Sequence, residues 1–283
     1  MSCALLVGAG GMLSRDVAAR LSKDFDVKGF SIHELDIRDR ENVSVMFGKL
    51  RPAVVVNCAA YTNVDGCETN RDEAMSVNSA GVLNLALEAK KHGSLMVHFS
   101  TDYIFDGTKK SPYKEDDMPN PINFYGKSKF EGERWLIESG CEYIIVRTEW
   151  LYGAVGKNFV FTMLEKQKNQ GTISVVDDQR GSPTWTDELA VAVTKLLQKK
   201  CRGIYNVTAS GDCTWYNFAL KIFDAAKLKA EVLPIKTSQS NRTASRPTYS
   251  VLDCSKFEKD TGMRMKNWDD ALLSFLREVK ITC

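Results

Sequence analysis

Histidine and clustered cysteine are scarce in this chain. Three histidines (His33, His92, His98) and eight cysteines are spread over 283 residues, and no two cysteines form a Cys-x-x-Cys pair. A zinc site wants its N and S ligands grouped, so no metal is expected. The cysteines read as reduced thiols, mostly small core fillers, with Cys283 the most exposed. No apolar run approaches the length of a membrane span. Ala4-Leu5-Leu6-Val7 lacks the basic flank and the longer apolar stretch of a signal peptide. Net charge is only +2, which argues against a nucleic-acid or membrane surface. What remains is a cytoplasmic globular protein, long enough for one large α/β domain or for a nucleotide-binding domain carrying a smaller lobe.

Short apolar runs alternate with helical patterns through the first half. Strands are expected at Ala4 to Val7, Val27 to Phe30, Ala53 to Val56, Leu95 to Phe99 and Tyr143 to Val146. Helical spacing covers Met12 to Leu21, Val43 to Leu50, Ala74 to His92 and Phe130 to Ser139, with Pro52 ending the second of these. Apolar strands separated by helices imply a doubly wound parallel sheet, a Rossmann arrangement. After about residue 150 the elements shorten around turns such as Gly181-Ser182-Pro183 and Ser210-Gly211-Asp212, and the polar stretch Thr237 to Thr248 reads as a loop. The expected organisation is a dinucleotide-binding domain over 1–150, then a smaller substrate-binding lobe over 151–283 with some elements returning to the first core.

Three motifs carry chemistry. Gly8-Ala9-Gly10-Gly11-Met12-Leu13-Ser14 follows the first strand and opens the first helix, where glycines let the backbone approach a pyrophosphate. Ser14 stands at its third glycine position. The acid that would bond a ribose 2′-OH after the second strand is missing, for the chain reads Gly29-Phe30-Ser31-Ile32-His33. Ser31 or Lys28 could meet a 2′-phosphate, so NADPH and NADH both stay open. Asp36-Ile37 could flank an adenine or form an ordinary turn. In the second motif, Tyr125 and Lys129 stand at i and i+4 and share a helix face. An ammonium beside a phenol lowers its pKa toward the range of a general acid, although a surface helix start gives the same pattern. The third motif, Phe99 to Gly107, leaves a buried strand at its carboxyl end, where Thr101 could bond the oxygen that Tyr125 protonates.

Taken together, these motifs resemble the extended short-chain dehydrogenase/reductase superfamily, and more narrowly the dTDP-4-dehydrorhamnose reductase family. The resemblance runs almost the whole length. It includes Asn57 to Asp65 with Glu68 and Asn78, Ser100 to Gly107, Tyr125 to Glu133, Arg147 to Gly153, Asp178 to Thr184, Gly203 to Val207, Arg246-Pro247 and Ser250 to Asp253. It implies that Thr101, Tyr125 and Lys129 are catalytic. It implies that Gly8, Gly11, Met12 and Leu13 hold the cofactor's phosphates, that Asp36 and Ile37 contact its adenine, and that Ala59, Ala60 and Tyr61 lie beside its pyrophosphate and ribose. Asp102, Tyr103 and Trp150 would line the sugar site. Three departures from the pattern are Ser14, Cys58 for the usual alanine, and Glu149 where serine is more usual.

The activity implied is NADPH- or NADH-dependent reduction of the C4 ketone of dTDP-4-dehydro-L-rhamnose. Tyr125 would give the proton, Lys129 would keep the phenol acidic, and Thr101 would position the ketone oxygen. Arg180, Arg242 or Arg246 could hold the substrate diphosphate, and each is equally readable as a structural ion pair. Other readings are a reductase forming the 6-deoxytalose epimer, a cofactor-recycling epimerase or dehydratase, and a non-catalytic regulatory subunit like the beta subunit of methionine adenosyltransferase. The expected partner is a dTDP-sugar, and the protein would be a monomer or homodimer. The family sometimes binds a divalent metal between subunits, but Asp16 and Asp187, at roughly matching places, read as solvent-facing helix residues.

Overall fold

The computed structural model describes residues 1–169 and 171–281; Cys283, expected to be exposed, lies outside them. In β1 (Cys3–Val7) every residue after the first is buried. Ala4 and Leu6 pack on one face and Leu5 and Val7 on the other, as the two-residue period of a strand requires. β3 (Val54–Asn57) and β4 (Leu95–Thr101) are buried throughout, which fits a sheet covered on both sides.

Six parallel strands form that sheet, in the order Gly203–Asn206, β5 (Tyr143–Thr148), β4, β3, β1, β2 (Asp26–Phe30). Helix α1 (Met12–Leu21) and the helix Thr186–Gln198 cover one face. Helix α2 (Arg40–Leu50) and the helix Gly81–His92 cover the other. The expected helix from Ala74 to His92 is interrupted: Arg71–Met75 runs into a π-helical turn, Ser76–Ala80, before Gly81–His92 resumes. The helix expected from Phe130 begins earlier and spans Phe124–Glu138. Asn123 caps it, its side chain accepting from the Gly126 N–H at 2.8 Å, so the Tyr125–Lys129 segment is helical from its first turn.

A second core, around Tyr152, Ile173, Phe218, Leu272 and Phe275, gathers the later elements. Two of those elements return to the sheet. The strand Gly203–Asn206 adds beside β5, and the helix Thr186–Gln198 packs along α1. That packing corrects the expectation for Asp16 and Asp187, which do not face solvent freely. Arg20 on α1 pairs with Asp187, and Asp16 accepts from the Thr186 hydroxyl at 2.5 Å, because each carboxylate falls on the seam between the two helices. Among the described residues no helix is long and apolar enough to cross a membrane.

Candidate active site

The strands flanking β1 are β2 on one side and β3 on the other. The chain order reverses there, and a crevice opens at the carboxyl ends. Gly8 sits at that point with φ 78°, and a β-carbon on it would lie 2.5 Å from the Ala59 nitrogen, so only glycine lets the two loops meet. Gly11 is the N-cap of α1 and makes no side-chain cap bond, leaving first-turn N–H groups for an anion. Ser14 turns its hydroxyl back onto the Gly11 carbonyl at 2.9 Å, so the missing third glycine costs the turn nothing visible.

A cavity of about 790 Å³ runs from this turn. Gly8, Gly11, Met12, Leu13, Asp36, Ile37, Ala59, Ala60 and Tyr61 line it, as do Thr101, Asp102, Tyr103, Tyr125, Lys129 and Trp150. At its far end the Arg38 side chain holds the Asp36 carboxylate below its ordinary pKa. Neither Ser31 nor Lys28 reaches the cavity: Ser31 bonds to Glu34 and Lys28 to Asp26. The Ala59–Tyr61 loop is held from beneath. The Asn78 side chain accepts from the Tyr61 N–H at 2.8 Å, donates to the Tyr61 carbonyl at 3.0 Å and donates to the Ser128 hydroxyl at 2.9 Å. The π-helical turn aims Asn78 there, and nothing in the local pattern of the sequence signals such a turn.

At the other end, Gly126 presses so closely on the Tyr103 carbonyl that a β-carbon would lie 2.0 Å from it. This approach brings Tyr125 against the turn after β4. The Thr101 hydroxyl accepts from the Tyr103 N–H at 3.1 Å and donates to Asp102 Oδ1 at 2.9 Å, and it shares the cavity wall with Tyr125. The Lys129 ammonium donates to the Phe99 carbonyl at 2.6 Å, and burial lowers its pKa to about 8. Burial and the adjacent Asp102 push the Tyr125 phenol above its ordinary value. The expected lowering by Lys129 is therefore not seen: the ammonium is committed to a carbonyl, and desolvation of a phenolate outweighs it. Cys58, beside Lys129, is raised to about 12 by burial and stays a thiol.

The later part of the chain closes the cavity with Leu151, Gly156, Lys157 and Trp215. Trp150 holds a left-handed backbone, φ 49°, rare for an aromatic residue, and stacks on Trp215 at 3.6 Å between ring centroids and 10° between planes. Trp215 and Lys157 escape a reading of the sequence, because each sits in a segment without motif character. The arginines go elsewhere. Arg180 pairs with Asp212, and Arg242 and Arg246 both bind Asp65. Arg180, expected to bind substrate, is thus an ion-pair residue outside the cavity lining, while Lys129 and Lys157 are the cations among the described lining residues.

A parallel sheet with a glycine turn at its switch point, and a Thr–Tyr–Lys group at the end of a neighbouring strand, defines an oxidoreductase of the short-chain type. The sequence matches the profile of the RmlD substrate binding domain over residues 2–281. It is 39% identical to the spore coat polysaccharide biosynthesis protein SpsK of Bacillus subtilis, over 100% of both chains. It is also 39% identical to the dTDP-4-dehydrorhamnose reductase of Aggregatibacter actinomycetemcomitans, over 96% of this chain and 97% of that one. The crystal structure of a Bacillus anthracis dTDP-4-dehydrorhamnose reductase in complex with NADP superposes with a TM-score of 0.96 at 38% identity, covering 98% of this chain and 99% of that one. The chain belongs to the dTDP-4-dehydrorhamnose reductase family.

Proposed function

We propose that this protein reduces the C4 ketone of dTDP-4-dehydro-L-rhamnose to dTDP-L-rhamnose, using NADPH or NADH. The observation that carries the reading is the convergence of Thr101, Tyr125 and Lys129 on the cavity that begins at the glycine turn. Residues 1–150 would hold the dinucleotide and residues 151–283 would cover the sugar, in keeping with the cavity wall that Lys157 and Trp215 supply.

The Gly8 cradle and the open N-terminus of α1 fit a pyrophosphate, and Asp36, Ile37, Ala59, Ala60 and Tyr61 are placed to hold the rest of the dinucleotide. When bound, a reduced nicotinamide supplies the hydride. Tyr125 gives its proton to the oxygen that becomes the alkoxide. At neutral pH the phenol is protonated, the form a reduction needs. Thr101 holds that oxygen in line with the phenol. Lys129 fixes the helix face to β4 and keeps a positive charge at the reacting end below about pH 8. Trp150, Asp102 and Tyr103 shape the sugar pocket, and Lys157, exposed at the mouth, is placed for a phosphate in the way once expected of Arg180. The seven described cysteines are free, which supports a cytoplasmic enzyme.

The test is the loss of reduced-nicotinamide absorbance when freshly made dTDP-4-dehydro-L-rhamnose is added with NADPH or NADH, with the product's C4 configuration read by NMR. Sugar-dependent oxidation giving the rhamnose product establishes the reading. Binding of either dinucleotide without oxidation overturns it in favour of a recycling enzyme or a regulatory subunit.

A further inference from the structure

Two largely buried carboxyls, Asp102 and Glu149, line the reacting end of the cavity. Thr101 and Thr148 are register partners across β4 and β5, so Asp102 and Glu149, the residues that follow them, lie at neighbouring strand ends. Each is only 2% exposed. The Ser250 hydroxyl donates to Glu149 Oε2 at 3.3 Å and also acts on Asp102. Glu149 Oε2 and the Trp150 ring both crowd Gly181, leaving no room for a β-carbon there. Asp102 Oδ2 and Glu149 Oε1 are buried and have no hydrogen-bond partner.

The other titratable groups around the pair do not neutralise it. Tyr103 and Tyr125 face Asp102, while Cys213, Cys254 and Tyr249 face Glu149. The cations of the neighbourhood are engaged elsewhere: Lys129 with the Phe99 carbonyl, Arg246 with Asp65, and Arg180 with Asp212. Ser250 has a single proton for two carboxyls, and, Thr101 aside, the other donors are backbone N–H groups, of Ser182 and Leu252 at Glu149 and of Asp102 and Tyr103 at Asp102, which carry no charge. Two buried carboxylates at neighbouring strand ends resist being ionised together. Burial pushes both above the ordinary range, Asp102 to about 7, and the charge of Asp102 pushes Glu149 further still.

We propose that Asp102 and Glu149 hold one proton between them at neutral pH, and that this proton decides which way the Thr101 hydroxyl donates. While Asp102 is neutral it can donate to the Thr101 oxygen, which frees the Thr101 proton for the oxygen being reduced. Once Asp102 is ionised, Thr101 donates to Oδ1 and is lost to the substrate. Glu149 is a positioning residue that acts through Asp102. It keeps Asp102 neutral to a higher pH than serine at the same place would. The kinetic consequence rests on the reductase reading; the shared proton does not.

Two measurements on the purified protein test this. The first is the pH profile of kcat for Glu149→Gln, Glu149→Asp and Ser250→Ala beside wild type. In Glu149→Gln the alkaline limb moves to lower pH by about one unit or more, whereas Glu149→Asp restores it. A uniform loss at every pH, with the limb unmoved, would mean that Glu149 is only structural and overturns its role. The second is infrared difference spectroscopy without substrate, which reads the carbonyl band of a protonated buried acid. That band is present at neutral pH in wild type and is lost at lower pH in Glu149→Gln. Its absence from wild type at neutral pH overturns the shared proton, even for a protein that does not turn over this sugar.

Discussion

The Lys129 ammonium and the Phe99 carbonyl meet at 2.6 Å inside the protein, tying the catalytic helix to β4 two residues before Thr101. The contact orders the site at a cost in solvation, and the cost has a readable sign. Burial lowers Lys129 from 10.5 to about 8, so between those values the unfolded chain binds more protons than the folded one, and stability rises with pH across that window. Below about pH 8 both states carry the charge and the full penalty applies. Lys129→Met is therefore expected to be more stable than wild type at pH 7 by about 1–3 kcal/mol, with the gap narrowing as pH rises above 8, and to lose turnover. Denaturant midpoints at several pH values check this. Equal stability at pH 7 would show that the Phe99 bond offsets the burial.

Tyr125→Phe removes the proton donor and leaves the helix start intact, since Asn123 caps it through the Gly126 N–H. Turnover is expected to fall by about 100- to 10,000-fold, with dinucleotide affinity within a few-fold of wild type. Near-normal turnover would remove Tyr125 from the mechanism.

Gly8→Ala places a methyl 2.5 Å from the Ala59 nitrogen at a residue with φ 78°. Backbone, not a mobile side chain, blocks it. The variant is expected to lose about 2 kcal/mol of stability or more and to bind dinucleotide weakly, as read by denaturation and by nucleotide fluorescence titration.

Asp65 fastens the polar loop expected between Thr237 and Thr248 to the helix Val64–Thr69. Burial disfavours its charge, but Arg246, the Ala244 N–H and Arg242 outweigh that and bring it to about 2. Its stabilisation is thus complete above the ordinary carboxylate value of 3.8 and fades as pH falls toward 2. Asp65→Asn is expected to be less stable by about 1–2 kcal/mol at pH 7, with the difference vanishing in acid. A pH-independent difference would point to a cause other than the ion pairs.

The sequence by itself determined the buried parallel strands, the glycine turn and the shared face of Tyr125 and Lys129, because each of these is written locally. Apolar runs give buried parallel strands, glycine after a strand gives a tight turn, and i, i+4 spacing gives a shared face. Where local pattern was silent, the tertiary structure decided. The π-helical turn that aims Asn78 at Tyr61 leaves no mark in residue periodicity. Trp215 and Lys157 reach the cavity only because the later chain folds back over the sheet. Arg180, which looked like a phosphate ligand, is occupied by Asp212, a partner more than thirty residues away. Whether Asp102 and Glu149 share a proton is likewise beyond the sequence. Charge and burial are properties of what surrounds a side chain, and those surroundings are assembled from distant parts of the chain.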